Sequence, residues 1–276
     1  MRRRPRLVVL VVVALGIVVV AAAQAIAALS AYPPPSTEST KGVFIVRCPF
    51  SHQKQADPIV APGKVSAHLH DFFGNRSTDS TSTYASMVSS GTTCVLSGDT
   101  GAYWMNSLYT SSGTLVKPVA ALVYFRNKPV AYGTTMPFPK DFRLIAGGVG
   151  SSNAGWSCDQ NAAGMTATPP DCGTAKLVAH VRFPNCWNGA LDSPDHRSHV
   201  VYPVGTGSTA CPSSHPIKLP EIFLHVRYPS GVKAGVMSDG TLAPHADFWN
   251  TWQQPVHEKV VHDCLQLGTN CGSLTG

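Results

Sequence analysis

The sequence predicts a mostly-β fold, namely a single-domain sheet sandwich with long disulfide-pinned loops and a short C-terminal helix. Short runs of β-branched and aromatic residues are bounded by Pro or Gly, which is typical of strands. Only 13% of the residues are charged, and the chain contains 24 Gly and 22 Pro, a composition that suits a loop-rich β protein. The pattern lacks the regular strand–helix alternation of a doubly wound α/β fold.

Five runs are predicted to be strands because β-branched and aromatic residues dominate them. They cover residues 43–47, 119–126, 177–183, 200–204 and 222–228. The third and fifth runs share His-Val-Arg followed by an aromatic residue and Pro, so we expect them to lie in one sheet. The period of two places His180 and Arg182 on one face of the third strand, and that second face is then polar.

Helix signals are few. The sequence predicts short helices at 81–90, ended by Gly91, and at 246–253, ended before Pro255. The strongest candidate is 256–267, where apolar residues recur at helical spacing and Gly268 stops the helix. His257 and His262 are five apart and diverge on a helix, so we interpret them as a solvated face and not as a zinc-protease motif. The Gly- and Pro-rich stretch 147–170 is expected to be loop.

The N-terminus is typical of a secretory signal. Arginines at positions 2, 3, 4 and 6 precede an apolar run over 7–23, and small residues follow it, so residues 1–30 are predicted to be a signal peptide. If it is retained, about 20 apolar residues would anchor the protein in a membrane, facing outside. Residues 31–41 form a Pro/Ser/Thr linker that cannot build a core. One domain is therefore expected over 42–276.

The charge limits the kinds of partner that the protein can bind, and the cysteine content indicates the compartment in which it folds. The formal net charge of +6 falls to +2 when the four N-terminal arginines leave, and no Lys/Arg run remains, which argues against a nucleic-acid partner. Eight cysteines on an exported chain predict four disulfides. Among the 105 pairings that eight cysteines allow, we favour neighbours. These are Cys48–Cys94, Cys158–Cys172, Cys186–Cys211 and Cys264–Cys271.

The stretch 68–75 is the most informative for function. On an extended chain, His68 and His70 point the same way, so they can hold one metal ion or bracket one substrate group. Asp71 can fix a ring tautomer as an outer partner. The alternative is that both histidines are structural and form hydrogen bonds with the backbone.

Two further stretches add titratable residues. Asp195, His196 and His199 follow a Ser-Pro turn, and the two histidines share a face if that turn continues as one helical turn. The alternative there is a polar surface loop. His245 and Asp247 alternate with apolar residues, although Asp247 could instead cap a helix.

Aromatic residues occur close to these stretches or in the same blocks of sequence. Trp104, Trp187 and Trp249 are candidates for substrate binding, because aromatic rings with carboxylates and imidazoles suit a sugar-binding cleft. The alternative is that these rings belong to the core. No phosphate loop and no Gly-x-Ser-x-Gly elbow occurs in the sequence.

The chain resembles the DUF1996 family of secreted proteins of unknown function, found in bacteria and fungi. The resemblance runs from Phe44 to Cys264 and includes His68-Leu69-His70-Asp71-Phe72-Phe73-Gly74-Asn75, Phe183-Pro184-Asn185-Cys186-Trp187-Asn188-Gly189, Leu191-Asp192-Ser193-Pro194-Asp195-His196 and His245-Ala246-Asp247-Phe248. The family has no established catalytic residues to transfer. Some fungal members resemble multidomain proteins with carbohydrate-binding modules, which implies a polysaccharide or cell-surface context.

Three functional hypotheses follow. The first is a secreted hydrolase or lyase acting on extracellular or cell-wall glycan, in which a carboxylate and a histidine act as general acid and base. Its catalytic candidates are His68, His70, Asp71, Asp195, His196, His199, His245 and Asp247. The second is a non-catalytic glycan binder. The third is a zinc or copper protein whose ligands come from His68, His70, His196, His199 and His245. The cofactor is accordingly none or a divalent metal.

Overall fold

The computed structural model describes residues 42–127, 135–159, 162–205 and 210–275. The predicted signal peptide and linker, residues 1–41, lie outside the described residues. Within the described ranges the protein is mostly β, as the sequence predicts. No described helix combines the length and apolar character needed to cross a bilayer.

The described residues form fifteen strands and two short α-helices. The strands are β1 (Val43–Lys54), β2 (His70–Gly74), β3 (Ala102–Asn106), β4 (Leu108–Thr110), β5 (Ala120–Arg126), β6 (Arg143–Gly147), β7 (Ala154–Cys158), β8 (Lys176–Arg182), β9 (Cys186–Trp187), β10 (Val200–Val201), β11 (Ile217–Lys218), β12 (Glu221–Ser230), β13 (Ala234–Met237), β14 (His245–Trp249) and β15 (Asn270–Ser273). The helices are α1 (Tyr84–Val88) and α2 (Gln254–Val260), and α2 continues as a π-helical segment over Val261–Gln266. A 3₁₀ turn covers Ala162–Gly164.

Two sheets share the long strand β1 and form a sandwich. The first part of β1 pairs with β5, and β12, β8 and β7 are the next strands across this sheet, which we call sheet I. The last part of β1 pairs with β2, and β3, β14 and β6 are the next strands across the other sheet, which we call sheet II. These neighbours are antiparallel, whereas β15 joins β1 in parallel. A register shift between Phe50 and His52 marks the place where β1 passes from one sheet to the other.

The main core lies between the two sheets. Phe44 on β1 stacks on Phe125 with ring centroids 4.6 Å apart, and Tyr103 on β3 stacks on Phe248 at 5.2 Å. All four rings are fully buried. Each buried side chain of this size stabilises the fold by roughly 1.5–3 kcal/mol relative to an exposed one.

A second, smaller core covers the outer face of sheet II. Strand alternation turns Phe72, Trp104 and Trp249 away from the main core, and they pack together with Ile145. Ala56, Ile59 and Met87, from the segment before β2 and from α1, cover this layer. The part of the outer face of sheet II that carries Phe72, Trp104 and Trp249 is therefore buried.

Four disulfides pin the loops, and they are the four neighbouring pairs that the sequence predicts. No described cysteine is free. Such a set is typical of proteins that fold in an oxidising compartment.

Most predicted elements are present, with two corrections. The five predicted strands correspond to β1, β5, β8, β10 and β12, and the two that resemble each other are neighbours in which His180 lies opposite His225. The predicted helices at 81–90 and 256–267 are confirmed. The helix at 246–253 is wrong, because 246–249 lie in β14, between β3 and β6, and 250–253 are not helical. The loop at 147–170 contains the strand β7.

Candidate metal centre

Three histidines converge at one end of the outer face of sheet II. His70 begins β2, His245 begins β14, and His68 lies just before β2. Between these two strands, Asn106 on β3 pairs with His70 and accepts a hydrogen bond at Oδ1 from the backbone N–H of His245 at 3.1 Å. The paired strands β2, β3 and β14 therefore fix the backbone positions of His70 and His245.

The imidazole rings lie within contact distance of one another. Ring centroids are 4.4 Å apart for His68 and His70, 4.9 Å for His68 and His245, and 5.7 Å for His70 and His245. One nitrogen from each ring can be chosen so that all three lie within 4.8 Å of each other. This spacing is compact enough for three donors to share one ion.

His70 has the tautomer that a metal ligand needs. Its Nδ1 lies 2.9 Å from the carbonyl oxygen of Ala56, and because a carbonyl only accepts, Nδ1 must carry the proton. The lone pair is therefore on Nε2, which is buried and has no hydrogen-bond partner. Metal-binding histidines commonly donate their other ring N–H to a backbone carbonyl or a carboxylate in this way.

His245 has a comparable outer partner. Its Nδ1 lies 3.4 Å from Oδ2 of Asp239, and Asn106 Nδ2 donates to the same oxygen at 3.1 Å. Burial opposes ionisation of Asp239, but hydrogen bonds from His245 and Thr241 outweigh it and lower the Asp239 pKa. An ionised Asp239 holds the proton of His245 on Nδ1 and leaves Nε2 facing the cluster.

The Nε2 atoms of His68 and His245 lie 3.0 Å apart. Two nitrogens bound to one tetrahedral zinc at about 2.0–2.1 Å are about 3.3 Å apart. The observed separation thus fits either a single N–H···N hydrogen bond or a shared ion after a small outward shift. His68 and His245 are partly exposed, whereas His70 is fully buried, so the cluster opens to solvent on the side of His68 and His245.

Burial and repulsion from neighbouring rings favour the neutral forms of His68 and His70. Burial lowers the pKa of His68, and the neighbouring His245 lowers it further. Burial also lowers the pKa of His70 to well below the usual value, with added repulsion from His68 and His245. Neutral imidazoles with free lone pairs are what a metal ion requires.

Two buried carboxylates lie beside His70. Asp57 and Asp247 each place a carboxylate oxygen within 4.8 Å of a His70 ring nitrogen and of each other. Oδ1 of Asp57 accepts hydrogen bonds from the backbone N–H groups of Ile59 and Val60. Both oxygens of Asp247 are buried without a partner, and burial, with repulsion from Asp57, raises its pKa well above the usual value.

Asp71 lies on the opposite face of β2 from His70. It projects between the sheets, where Oδ1 accepts hydrogen bonds from Gln53 and Ser107, both at 2.7 Å. Burial raises the pKa of Asp71 to about 7, although these two hydrogen bonds oppose the shift. Asp71 is therefore not part of the cluster.

The stretch with Asp195, His196 and His199 does not join the cluster either. His199 is buried, and its Nε2 donates to the carbonyl oxygen of Arg143 at 2.7 Å. Arg143 pairs with Trp249, at the end of β14 opposite His245, and four residues of strand span about 13 Å. His196 contacts Asp192, and Asp195 accepts hydrogen bonds that hold its own turn together.

The three tryptophans predicted to bind substrate are buried. Trp104, Trp187 and Trp249 are 0%, 4% and 2% exposed, so none offers an open ring face to a sugar. Sequence reasoning missed the roles of Asp57, Asp239 and Asn106. Asp239-Gly240 has the pattern of an ordinary turn, and nothing local to Asp57 or Asn106 indicates that either meets a histidine.

One other group of possible ligand residues, namely Cys48, Cys94 and Asp99, lies within the same distance limit in the described part of the chain. Its two cysteines are joined as a disulfide, so their sulfurs are not thiolates. The histidine cluster and its carboxylates are therefore the arrangement with free donor atoms.

A comparison with models of known protein families identifies the family of this chain. The model described as "Domain of unknown function (DUF1996)" matches residues 57–252, a range that contains all three histidines and both carboxylates. The chain belongs to the DUF1996 family. No curated protein and no solved structure matches it.

Proposed function

We propose that this DUF1996 protein is a secreted metalloprotein in which His68, His70 and His245 bind one divalent transition-metal ion, zinc or copper. The observation that carries the proposal is the buried lone pair of His70 Nε2, which has no partner and belongs to a ring packed against two further imidazoles. Three histidines are the protein ligands of some catalytic zinc sites. Imidazole also suits copper.

The outer partners support a metal site over a purely structural cluster. His70 satisfies only Nδ1, and its ring packs against two further imidazoles, whereas His257, whose Nδ1 also lacks a partner, packs against aromatic rings. Asp239 and the Ala56 carbonyl are the kind of groups that orient metal-binding imidazoles. The N-terminal signal pattern and four disulfides support an extracellular location for the protein.

Metal analysis tests the proposal. Protein purified without an affinity tag is dialysed with excess zinc or copper, then against buffer, and the metal content per chain is measured. We expect about one ion per chain for the parent, and for His70→Ala less than about 0.1. His215→Ala removes an imidazole outside the cluster and should bind like the parent. A parent protein with less than about 0.1 ion per chain would reject the metal centre.

Hydrolysis of cell-wall glycan by the bound ion is a second candidate. The partial exposure of His68 and His245 favours it, because an ion held there is reachable from solvent, and a zinc-bound water ionises near neutral pH. A hydrolysis screen on cell-wall glycans compares the parent with His70→Ala. Equal activity of both proteins would remove the site from the mechanism, and saturable binding without product release would instead favour a non-catalytic glycan binder.

A further inference from the structure

Asp247 is a carboxylate placed where an unpaired charge is costly. It lies in β14, between β3 and β6, and is 1% exposed. Neither of its oxygens accepts a hydrogen bond, and no described Lys, Arg or His forms an ion pair with it. An ionised carboxylate in such a place requires a cation or must take up a proton.

The neighbouring His70 does not supply a proton to Asp247. His70 Nδ1–H is committed to the Ala56 carbonyl, so His70 Nε2 is an acceptor, as the Asp247 oxygens are. A ring nitrogen of His70 and a carboxylate oxygen of Asp247 lie within 4.8 Å of each other, and neither His70 Nε2 nor either Asp247 oxygen has a hydrogen-bond partner. Buried acceptors that are packed this closely without a donor call for a cation or a proton between them.

We propose that Asp247 is a further ligand of the same ion, so that the centre is a mixed set of three imidazoles and one carboxylate. This inference rests on the proposed metal centre. His70 is the shared member, since it belongs both to the group with His68 and His245 and to the group with Asp57 and Asp247. The His70 ring is therefore close both to two further imidazoles and to two buried carboxylates.

The carboxylate determines which ions fit. Three neutral imidazoles and one carboxylate contribute one negative charge, and no thiolate or thioether takes part, which favours divalent ions such as zinc over Cu(I). Asp57 lies next to Asp247, and two backbone N–H groups hold its Oδ1. It adds negative potential on the buried side of the ion.

The test measures metal affinity for Asp247→Asn with Co²⁺ as the probe, because the visible bands of Co²⁺ report its ligand set. We expect Asp247→Asn to weaken Co²⁺ binding at least about tenfold in chelator competition and to change the visible spectrum. Asp71→Asn is the matched control. It removes an equally buried carboxylate from the opposite face of β2 and should leave affinity and spectrum unchanged.

The outcomes separate this inference from the proposed function. If the parent binds no Co²⁺, the metal centre itself fails. If the parent and Asp247→Asn bind Co²⁺ equally with the same spectrum, the metal centre stands and the Asp247 ligand is rejected; a proton then lies between Asp247 and His70, which the Asn amide would replace.

If Asp247→Asn does not fold, a measurement on the parent protein still tests whether Asp247 is a ligand. A crystal structure of the zinc-loaded parent, with the ion located by anomalous scattering, gives the distance from zinc to the Asp247 oxygens directly. We expect about 2.0–2.2 Å. An ion bound by the histidines with Asp247 outside its coordination sphere would overturn the inference.

Discussion

At the scale of single residues, the groups against which a helix face packs determine the role of a histidine on that face. His257 was expected to be solvated together with His262, and this is wrong for His257, which is fully buried. Its Nε2 accepts the backbone N–H of Phe138 at 3.0 Å, and its ring stacks on that of Phe138 with centroids 5.7 Å apart. The helix packs this side against aromatic rings that are distant in sequence, so the local pattern could not reveal it.

His257 predicts a pH dependence of stability. Burial lowers its pKa to about 3 in the folded protein, against 6.5 for an unperturbed histidine. The unfolded chain therefore binds a proton below pH 6.5 that the folded protein does not bind, and stability falls as the pH falls. Between pH 7.5 and pH 5, this residue should reduce the free energy of unfolding by about 2 kcal/mol.

Denaturant unfolding of the parent and of His257→Gln at both pH values measures this contribution. Glutamine can accept the Phe138 N–H but does not titrate, so the variant should lose about 2 kcal/mol less than the parent over the same interval. Other buried histidines titrate equally in both proteins and cancel in the comparison. The same loss in both proteins would contradict the prediction.

At the scale of elements, alternation along strands explains which predictions succeeded. His70 and Asp71 are adjacent, and a period of two necessarily places them on opposite faces, so the sequence alone could have separated them. His245 and Asp247 share a face for the same reason. Residues 246–253 were interpreted as a helix because a short aromatic run before Pro255 fits the helical period as well as the strand period. Only the pairing of 246–249 with β3 and β6 distinguishes the strand from the helix.

The start of β14 depends on a glycine at the end of β6. Gly147 has a φ of +77°, and a Cβ there would lie 2.5 Å from the Pro244 carbonyl oxygen and 3.1 Å from His245 Cα. Gly147→Ala should therefore displace the backbone that carries His245 and weaken metal binding. Gly148→Ala shares a positive φ of +93°, but its Cβ would lie 3.9 Å from His245 Cβ, an ordinary contact.

Both variants carry the backbone cost of a non-glycine residue at positive φ, about 1–2 kcal/mol. Because this cost is common to both variants, the difference in their metal affinities measures the effect of the clash between residue 147 and β14 alone. Isothermal titration of each variant with zinc measures it, and we expect the loss of affinity in Gly147→Ala alone. A loss in both, or in neither, would show that this contact does not position His245.

At the scale of the whole molecule, covalent links hold together a chain whose site residues are far apart in sequence. The sequence predicted the four disulfide pairs and the sandwich, but it placed eight residues in one site, whereas the structure gathers His68, His70, His245 and Asp247. Asp71 lies on the other face of β2, as alternation requires, whereas the separation of Asp195, His196 and His199 from the site depends on long-range strand pairing that no local pattern encodes.

The disulfides should differ in their effect on stability. Cys48–Cys94 closes 46 residues, including His68 and His70, whereas Cys264–Cys271 closes 7. Loop-closure entropy then assigns about 4 kcal/mol to the first and about 2 kcal/mol to the second. Urea unfolding of the paired Cys→Ala variants tests this order. Greater destabilisation from the loss of Cys264–Cys271 would contradict it.

The position of β1 has a consequence for the order of folding. The first described strand of the chain takes part in both sheets, and its partners include β15, near the other end. Such wide separation between contacting residues slows folding, since long loops must close before the contacts form. A nascent chain thus cannot complete the pairing of β1 until its last strands have emerged.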